Sequence, residues 1–294
     1  MNDRGKTLIA AVDQTQASKE AYVQAMTLAA SMRARLVAVS VMPRFDGNMY
    51  LLKIPDARAL LQRPFEESLK EAADEAASRG LSVKTILGEG LPSDGIVDAA
   101  ESEQAGLIIL GNKRRNYMER VLVGRTAAKV IGHSPCDALL IPEGTSLDFS
   151  RILVAVDGSK YSMVAAQRAL DLALSYGGEV FALSVIDVSV ERSLIYGVLE
   201  DARGRGLSAL STLAKQGEKL GVKVTTEIRE GTPYKMITDY AEEVDAGLLA
   251  LGTYGKTALR RLLMGSVVER ALVLSPCPVL VVKSLGEDGV RDFV

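Results

Sequence analysis

The sequence is poor in the residues that build metal and redox chemistry. Its 294 residues include two cysteines, Cys136 and Cys277, and one histidine, His133. A zinc centre assembled from several Cys and His ligands would consume nearly all of them at once. Each cysteine follows a Ser-Pro pair, Ser134-Pro135 or Ser275-Pro276, and precedes a short apolar run, so the two read as equivalent core residues rather than redox groups. His133 falls near the end of a predicted helix, where a terminal polar residue is ordinary. A Ser-His-Asp triad would rest on it alone, and no Gly-x-Ser-x-Gly elbow accompanies it.

An excess of one charge is also missing. The chain has 35 basic and 37 acidic residues, a formal net charge of −2, and so no global field to hold nucleic acid or an anionic membrane. No stretch approaches the roughly 18 apolar residues of a membrane helix. The opening Met1-Asn-Asp-Arg-Gly-Lys6 carries no signal-peptide apolar region. These absences point to a cytoplasmic protein. A hydrophobic fraction of 48% supplies a sizeable core, and the length suggests two domains.

What the chain does contain is a duplication. Ala105-Gly-Leu-Ile-Ile-Leu-Gly111 recurs as Ala246-Gly-Leu-Leu-Ala-Leu-Gly252, and at that same offset Gly90, Pro92, Gly124 and Cys136 recur as Gly231, Pro233, Gly265 and Cys277. Ala11-Val12-Asp13 and Ser40-Val41 recur as Ala155-Val156-Asp157 and Ser184-Val185 at a slightly longer offset, so a loop between Val41 and Glu89 absorbs the change. A period this long means tandem domains rather than a solenoid. We place them at residues 1–145 and 146–294, with the linker at Glu143 to Ser150.

Within each half, short β-branched runs alternate with longer helical patterns, which predicts βαβ units on a parallel sheet. In the second half the strands are expected at Ile152 to Asp157, Val180 to Ile186, Val222 to Ile228, Leu248 to Gly252 and Pro278 to Val282. The helices are expected over Ser162 to Ser175, around Leu194 to Leu220, from Pro233 and from Gly265. The fold class is α/β, a doubly wound sheet in each half, whose ligands bind at the carboxyl ends of the strands at the switch point.

The run that carries chemistry is Gly252-Thr-Tyr254-Gly255, nine residues, then Gly265-Ser266. Glycines at a strand-to-helix transition admit φ > 0 and close approach of the backbone to a bulky anion. A helix starting at Gly265-Ser266 offers free N–H groups and a positive dipole end to phosphate. Any one such glycine could be a mere turn former, but three glycines and a serine in register point to a nucleotide.

This pattern resembles the ATP-binding signature of the universal stress protein family, and the resemblance spans nearly the whole chain as two copies. It implies a five-stranded parallel sheet of order 3-2-1-4-5 in each half, which sets Asp157 beside Gly252. It further implies that ATP, with or without magnesium, lies across the ends of strands one, two and four of the second half. Ala155, Val156 and Asp157 would then line the adenosine end, with Val185 against the base. Leu251, Gly252, Tyr254 and Gly255 would follow the sugar and first phosphates, and Gly265, Ser266 and Val267 would hold the outer phosphates. Position 268 is valine where relatives can carry a hydroxyl, which removes one phosphate donor. Structural readings stand beside two of these: Val185 as a buried strand residue, and Asp157 as a turn former before Gly158-Ser159.

The first half departs from the signature. Gly111 and Gly124 are kept, but Arg114 replaces the second glycine, Arg125 replaces the hydroxyl residue, and Asp13-Gln-Thr replaces Asp157-Gly-Ser. We read it as a degenerate or altered site. Its basic cluster of Lys113, Arg114, Arg115, Arg120 and Arg125 is expected to be a solvated loop rather than a nucleic-acid surface, because only Tyr117 offers a stacking ring.

The leading expectation is a nucleotide-binding stress-response regulator. A slow ATPase or phosphotransferase is the enzyme alternative. Gly255-Lys256-Thr257 looks like the end of a Walker A loop, but position 250 is alanine, and no Ser-Gly-Gly-x-Asp-Ser loop follows strand one as an ATP pyrophosphatase would want. A nucleotide-free dimerisation scaffold is the third reading. Each half ends in a short apolar strand, Ala138 to Pro142 and Pro278 to Lys283, that the family order puts at a sheet edge. The resemblance also implies dimerisation of single domains through this strand, so the two edges are expected to pair with each other about a pseudo-twofold axis, with dimers of the whole chain left open.

Overall fold

The computed structural model describes residues 6–44, 57–113, 124–187, 198–253 and 264–283. The first half runs β1 (Thr7–Ala11), α1 (Gln16–Met32), β2 (Arg35–Met42), α2 (Ala57–Ser78), β3 (Val83–Glu89), α3 (Pro92–Ser102), β4 (Leu107–Asn112), α4 (Arg125–His133) and β5 (Asp137–Pro142). The second repeats it as β6 (Arg151–Ala155), α5 (Lys160–Tyr176), β7 (Glu179–Ile186), α6 (Val198–Leu220), β8 (Val224–Glu230), α7 (Pro233–Glu243), β9 (Leu248–Gly252), α8 (Ser266–Leu274) and β10 (Val279–Val282).

Local signals explain the boundaries. Thr15 and Ser159 cap α1 and α5 by accepting from the N–H groups of Ser18 and Ser162. Pro92 and Pro233 open α3 and α7, where a missing N–H costs nothing. The central strands are apolar along their length and buried on both faces, as strands of a parallel sheet covered by helices must be. β8 begins two residues later than the sequence suggests. Val222 belongs to the end of α6: its N–H donates to Gly217 O at 2.9 Å while Gly221 takes φ +73°, a helix cap that uses valine as its apolar contact.

Both halves have strand order 3-2-1-4-5, and together they form one ten-stranded sheet, β3-β2-β1-β4-β5-β10-β9-β6-β7-β8. Pairs within a half are parallel; β5 and β10 meet antiparallel, with Leu139 opposite Leu280. These two leucines are equivalent in the duplication, so a pseudo-twofold axis passes between them. Residues of α1, α2, α5 and α6 share one core cluster with the sheet, and residues of α3, α4, α7 and α8 share the other. Each cluster draws on both halves, so the seam is core rather than a surface contact.

Candidate functional site

β6 lies between β7 and β9, with Val154 opposite Ala250. That register sets the loop after β6 beside the end of β9, at the switch point of the sheet. Val156 is buried and donates to Leu183 O at 2.8 Å, extending the ladder one step beyond β6. Asp157 then folds back on its own turn: its N–H donates to Ser162 Oγ at 3.2 Å, and its Oδ1 accepts from Ser159 N at 2.9 Å. The turn-former role is therefore real for one carboxylate oxygen. Asp13 does the same in the first half, accepting from Thr15 N at 2.8 Å and Thr15 Oγ1 at 2.6 Å.

Leu251 and Gly252 end β9 in full burial. A Cβ at Gly252 would sit 2.5 Å from Tyr161 O, and one at Gly111 would collide with Ala17 O. In both halves this glycine lets the first helix cross the fourth strand, a packing reason that operates before any ligand is considered. Tyr254 and Gly255 lie outside the described residues, as do Lys256, Thr257, Arg114, Arg115, Tyr117 and Arg120.

The far end of the glycine run returns to the same place. Gly265 caps α8 and its N–H donates to Thr253 O at 3.1 Å. Thr253, buried, anchors this junction by donating from both its N–H (3.2 Å) and its hydroxyl (2.9 Å) to Val282 O on β10. Sequence reasoning passed over Thr253; its position between two motif residues was the available signal. Among the described residues no side chain caps α8, and Ser266 is exposed at its first turn. Glu269 in that turn puts a carboxylate near the positive dipole end and would compete with an incoming anion. Val267 and Val268 pack toward the core, so the hydroxyl absent from position 268 would have been buried. Ala155 and Val185 are half-buried against the same core layer, and Val185 stands on β7, across β6 from the glycine run.

The first half holds an open cleft of about 230 Å³ at the equivalent position. Asp13, Thr15, Lys113, Arg125 and Thr126 line it, and the second half closes one side with Val273 and Ser275. A larger cleft of about 550 Å³ between α1 and α2 is rimmed by Glu71, Asp74 and Glu75, charges that repel phosphate. The cysteines take no part in either. Ser134 and Ser275 donate to the carbonyls of Cys136 and Cys277 at 2.6 and 2.8 Å, and burial pushes the Cys277 thiol up to about 11, away from thiolate reactivity. His133 ends α4. Among the described residues no helix is long and apolar enough to cross a membrane, and no cluster of His, Cys, Asp and Glu forms a metal centre.

Comparison with known proteins agrees with this architecture. The model of the universal stress protein family matches twice, over residues 5–142 and 148–283. A universal stress protein of Methanocaldococcus jannaschii is 41% identical over 152 residues, 49% of this chain and 87% of that protein. One from Mycolicibacterium smegmatis is 28% identical over 225 residues, 74% of this chain and 75% of that protein. The crystal structure of a universal stress protein from Archaeoglobus fulgidus shares the fold over 95% of this chain and 99% of its own, with a TM-score of 0.73 at 21% identity. The chain belongs to the universal stress protein family, as two tandem copies of its domain.

Proposed function

We propose that this protein is an adenine-nucleotide-binding regulator of the stress response, working in the cytoplasm, with one ATP held in the second domain, residues 146–294. The observation that carries the reading is the 3.1 Å bond from Gly265 N to Thr253 O. It draws the N-terminus of α8 to the end of β9, beside the Asp157 loop, where the backbone N–H groups of the first turn and the helix dipole can receive phosphates. Ala155, Val156, Asp157 and Val185 then serve the adenosine, Leu251, Gly252, Tyr254 and Gly255 the sugar and first phosphates, and Gly265, Ser266 and Val267 the outer ones, with or without magnesium.

Hydrolysis is slow or absent in this reading. A phosphate cradle supplies binding, and one oxygen of the Asp157 carboxylate is occupied by Ser159 N–H. Turnover of ~1 s⁻¹ or faster, lost on changing Lys256 or Thr257, would favour a Walker-type enzyme instead.

Purifying the protein, extracting it with acid and identifying the released nucleotide by mass spectrometry tests the proposal. One adenine nucleotide per chain is expected. Calorimetry showing two equivalent sites would refute the asymmetry between domains, and no binding at all would leave the scaffold reading.

A further inference from the structure

The seam between the halves poses a problem of partner choice. Its backbone ladder and its apolar pairs, Leu140 with Val279, Leu139 with Leu280 and Ala138 with Val281, are nearly symmetric. The same ladder would serve β5 against β5, or β10 against β10, between two chains. A chain with two such self-complementary edges would join others in alternation and grow an open filament.

Charge breaks the symmetry. Asp137, at the start of β5, has a side chain only 6% exposed and pairs across the seam with Arg168 Nε on α5 at 3.2 Å; the Arg168 side chain is 11% exposed. Lys283, just past β10, donates its backbone N–H to Asp137 Oδ1 at 2.9 Å and its ammonium to Gly132 O at the end of α4 at 3.0 Å. The duplication carries none of this over: the counterparts of Asp137, Lys283 and Arg168 are Pro278, Pro142 and Gln24.

We propose that Asp137, Arg168 and Lys283 form a one-way charge lock that admits β5 against β10 and rejects either strand against its own kind in a second copy of the chain. In a β5–β5 seam, Asp137 would face Gln24 instead of a guanidinium, and Pro142, which has no N–H to give, instead of Lys283. Gln24 is already engaged with the linker, donating to Thr145 O at 2.8 Å and accepting from Leu147 N at 2.6 Å. The carboxylate would be buried with neither of its donors. In a β10–β10 seam, Arg168 would face Pro278 in place of a carboxylate. A buried charge deprived of its partner is costly, and selection against wrong partners works through such mismatches.

The test uses full-length chains. Isotopically heavy and light preparations are unfolded, mixed and refolded at high concentration, and native mass spectrometry reads heavy–light oligomers while hydrogen exchange at Leu139 and Leu280 locates the contact. The amide pair Asp137→Asn/Arg168→Gln keeps hydrogen-bonding groups across the seam but removes the opposed charges of Asp137 and Arg168. Pro278→Asp leaves the lock untouched and gives β10 the carboxylate that a β10–β10 seam lacks. Mixed oligomers joined through these strands should rise about tenfold over wild type in each. Wild-type-level mixing in either folded variant overturns the proposal, because the covalent tether alone would then select the partner.

Discussion

The two strand-end sites of this molecule share a skeleton and differ in charge. Both keep a glycine where the first helix crosses the fourth strand, Gly111 and Gly252, and both fold an aspartate back onto the N–H of a capping Thr15 or Ser159. At the start of the last helix the first domain presents Arg125 and Thr126, with Lys113 nearby, and the second presents Ser266 and Val267, with Glu269 one turn in. What packing requires is identical in the two copies, and what a ligand would touch has diverged. A shared glycine is therefore weaker support for a ligand than an unshared neighbour, and the asymmetry between sites rests on the helix termini.

The comparison is most severely broken by removing what joins the halves. Leu280→Asp places an unpaired carboxylate in the seam and should cost about 4 kcal/mol, and Leu140→Lys should act in the same way from the other strand. Hydrogen exchange across a urea series should show β1 and β6 losing protection together, since each core cluster spans both domains. Unfolding of one half while the other keeps its protection would contradict a shared core.

Packing and ligand roles of the glycines separate next. Gly252→Ala should cost about 3 kcal/mol by driving a Cβ into the backbone of α5, and Gly111→Ala should do likewise against α1. Gly124→Ala, with no atom of the described residues within 4 Å of the added carbon, should stay within about 0.5 kcal/mol of wild type. Thermal unfolding of the three variants checks this contrast, which collapses if Gly252→Ala is neutral.

The α/β class was legible in the sequence because strands buried on both faces read as apolar runs, and the duplication supplied each pattern twice; the strand order followed instead from the family resemblance carried by the glycine motif. Ala138 to Pro142 and Pro278 to Lys283 were legible as apolar strands, and their place in the seam followed from the family resemblance together with the need of an apolar edge for cover. Val222 was misread because a valine that caps a helix is indistinguishable in sequence from one that starts a strand. The second purpose of Gly252 was hidden for a similar reason: close approach of a phosphate and close approach of a helix ask for the same residue. Asp137 went unnoticed because its partners, Arg168 and Lys283, come from the other half of the chain.

At the ligand level, Gly265→Trp should weaken ATP binding by about 100-fold or more by filling the space at the α8 terminus, while Gly124→Trp in the first domain should leave it unchanged. Titration calorimetry reads both. Equal losses would mean that the two sites work as one and would remove the assignment of ATP to the second domain.

The smallest expected effect is a pH dependence that only one end of the seam can show. Pro142 has no titratable group, whereas burial pushes its counterpart Lys283 down to about 8 from an ordinary 10.5, with Cys136 and Asp137 pulling the other way. The folded state therefore gives up this proton at lower pH than the unfolded chain does. Between about 8 and 10.5 the unfolded chain binds more protons, so stability from this group rises with pH, and it is lost again as pH falls through about 8. Burial also raises Asp137, more than Arg168 restrains it, which contributes the opposite slope at the acid end. Part of the Lys283 side chain meets solvent, so the rise should amount to about 1 kcal/mol. Urea unfolding of wild type and Lys283→Met at pH 7.5 and 10 isolates it: the stability difference between the two proteins should shift in favour of wild type at the higher pH. A difference that does not change with pH would mean that Lys283 is not held in a desolvated site, and that the strand ends at Pro142 and Lys283 are electrostatically alike.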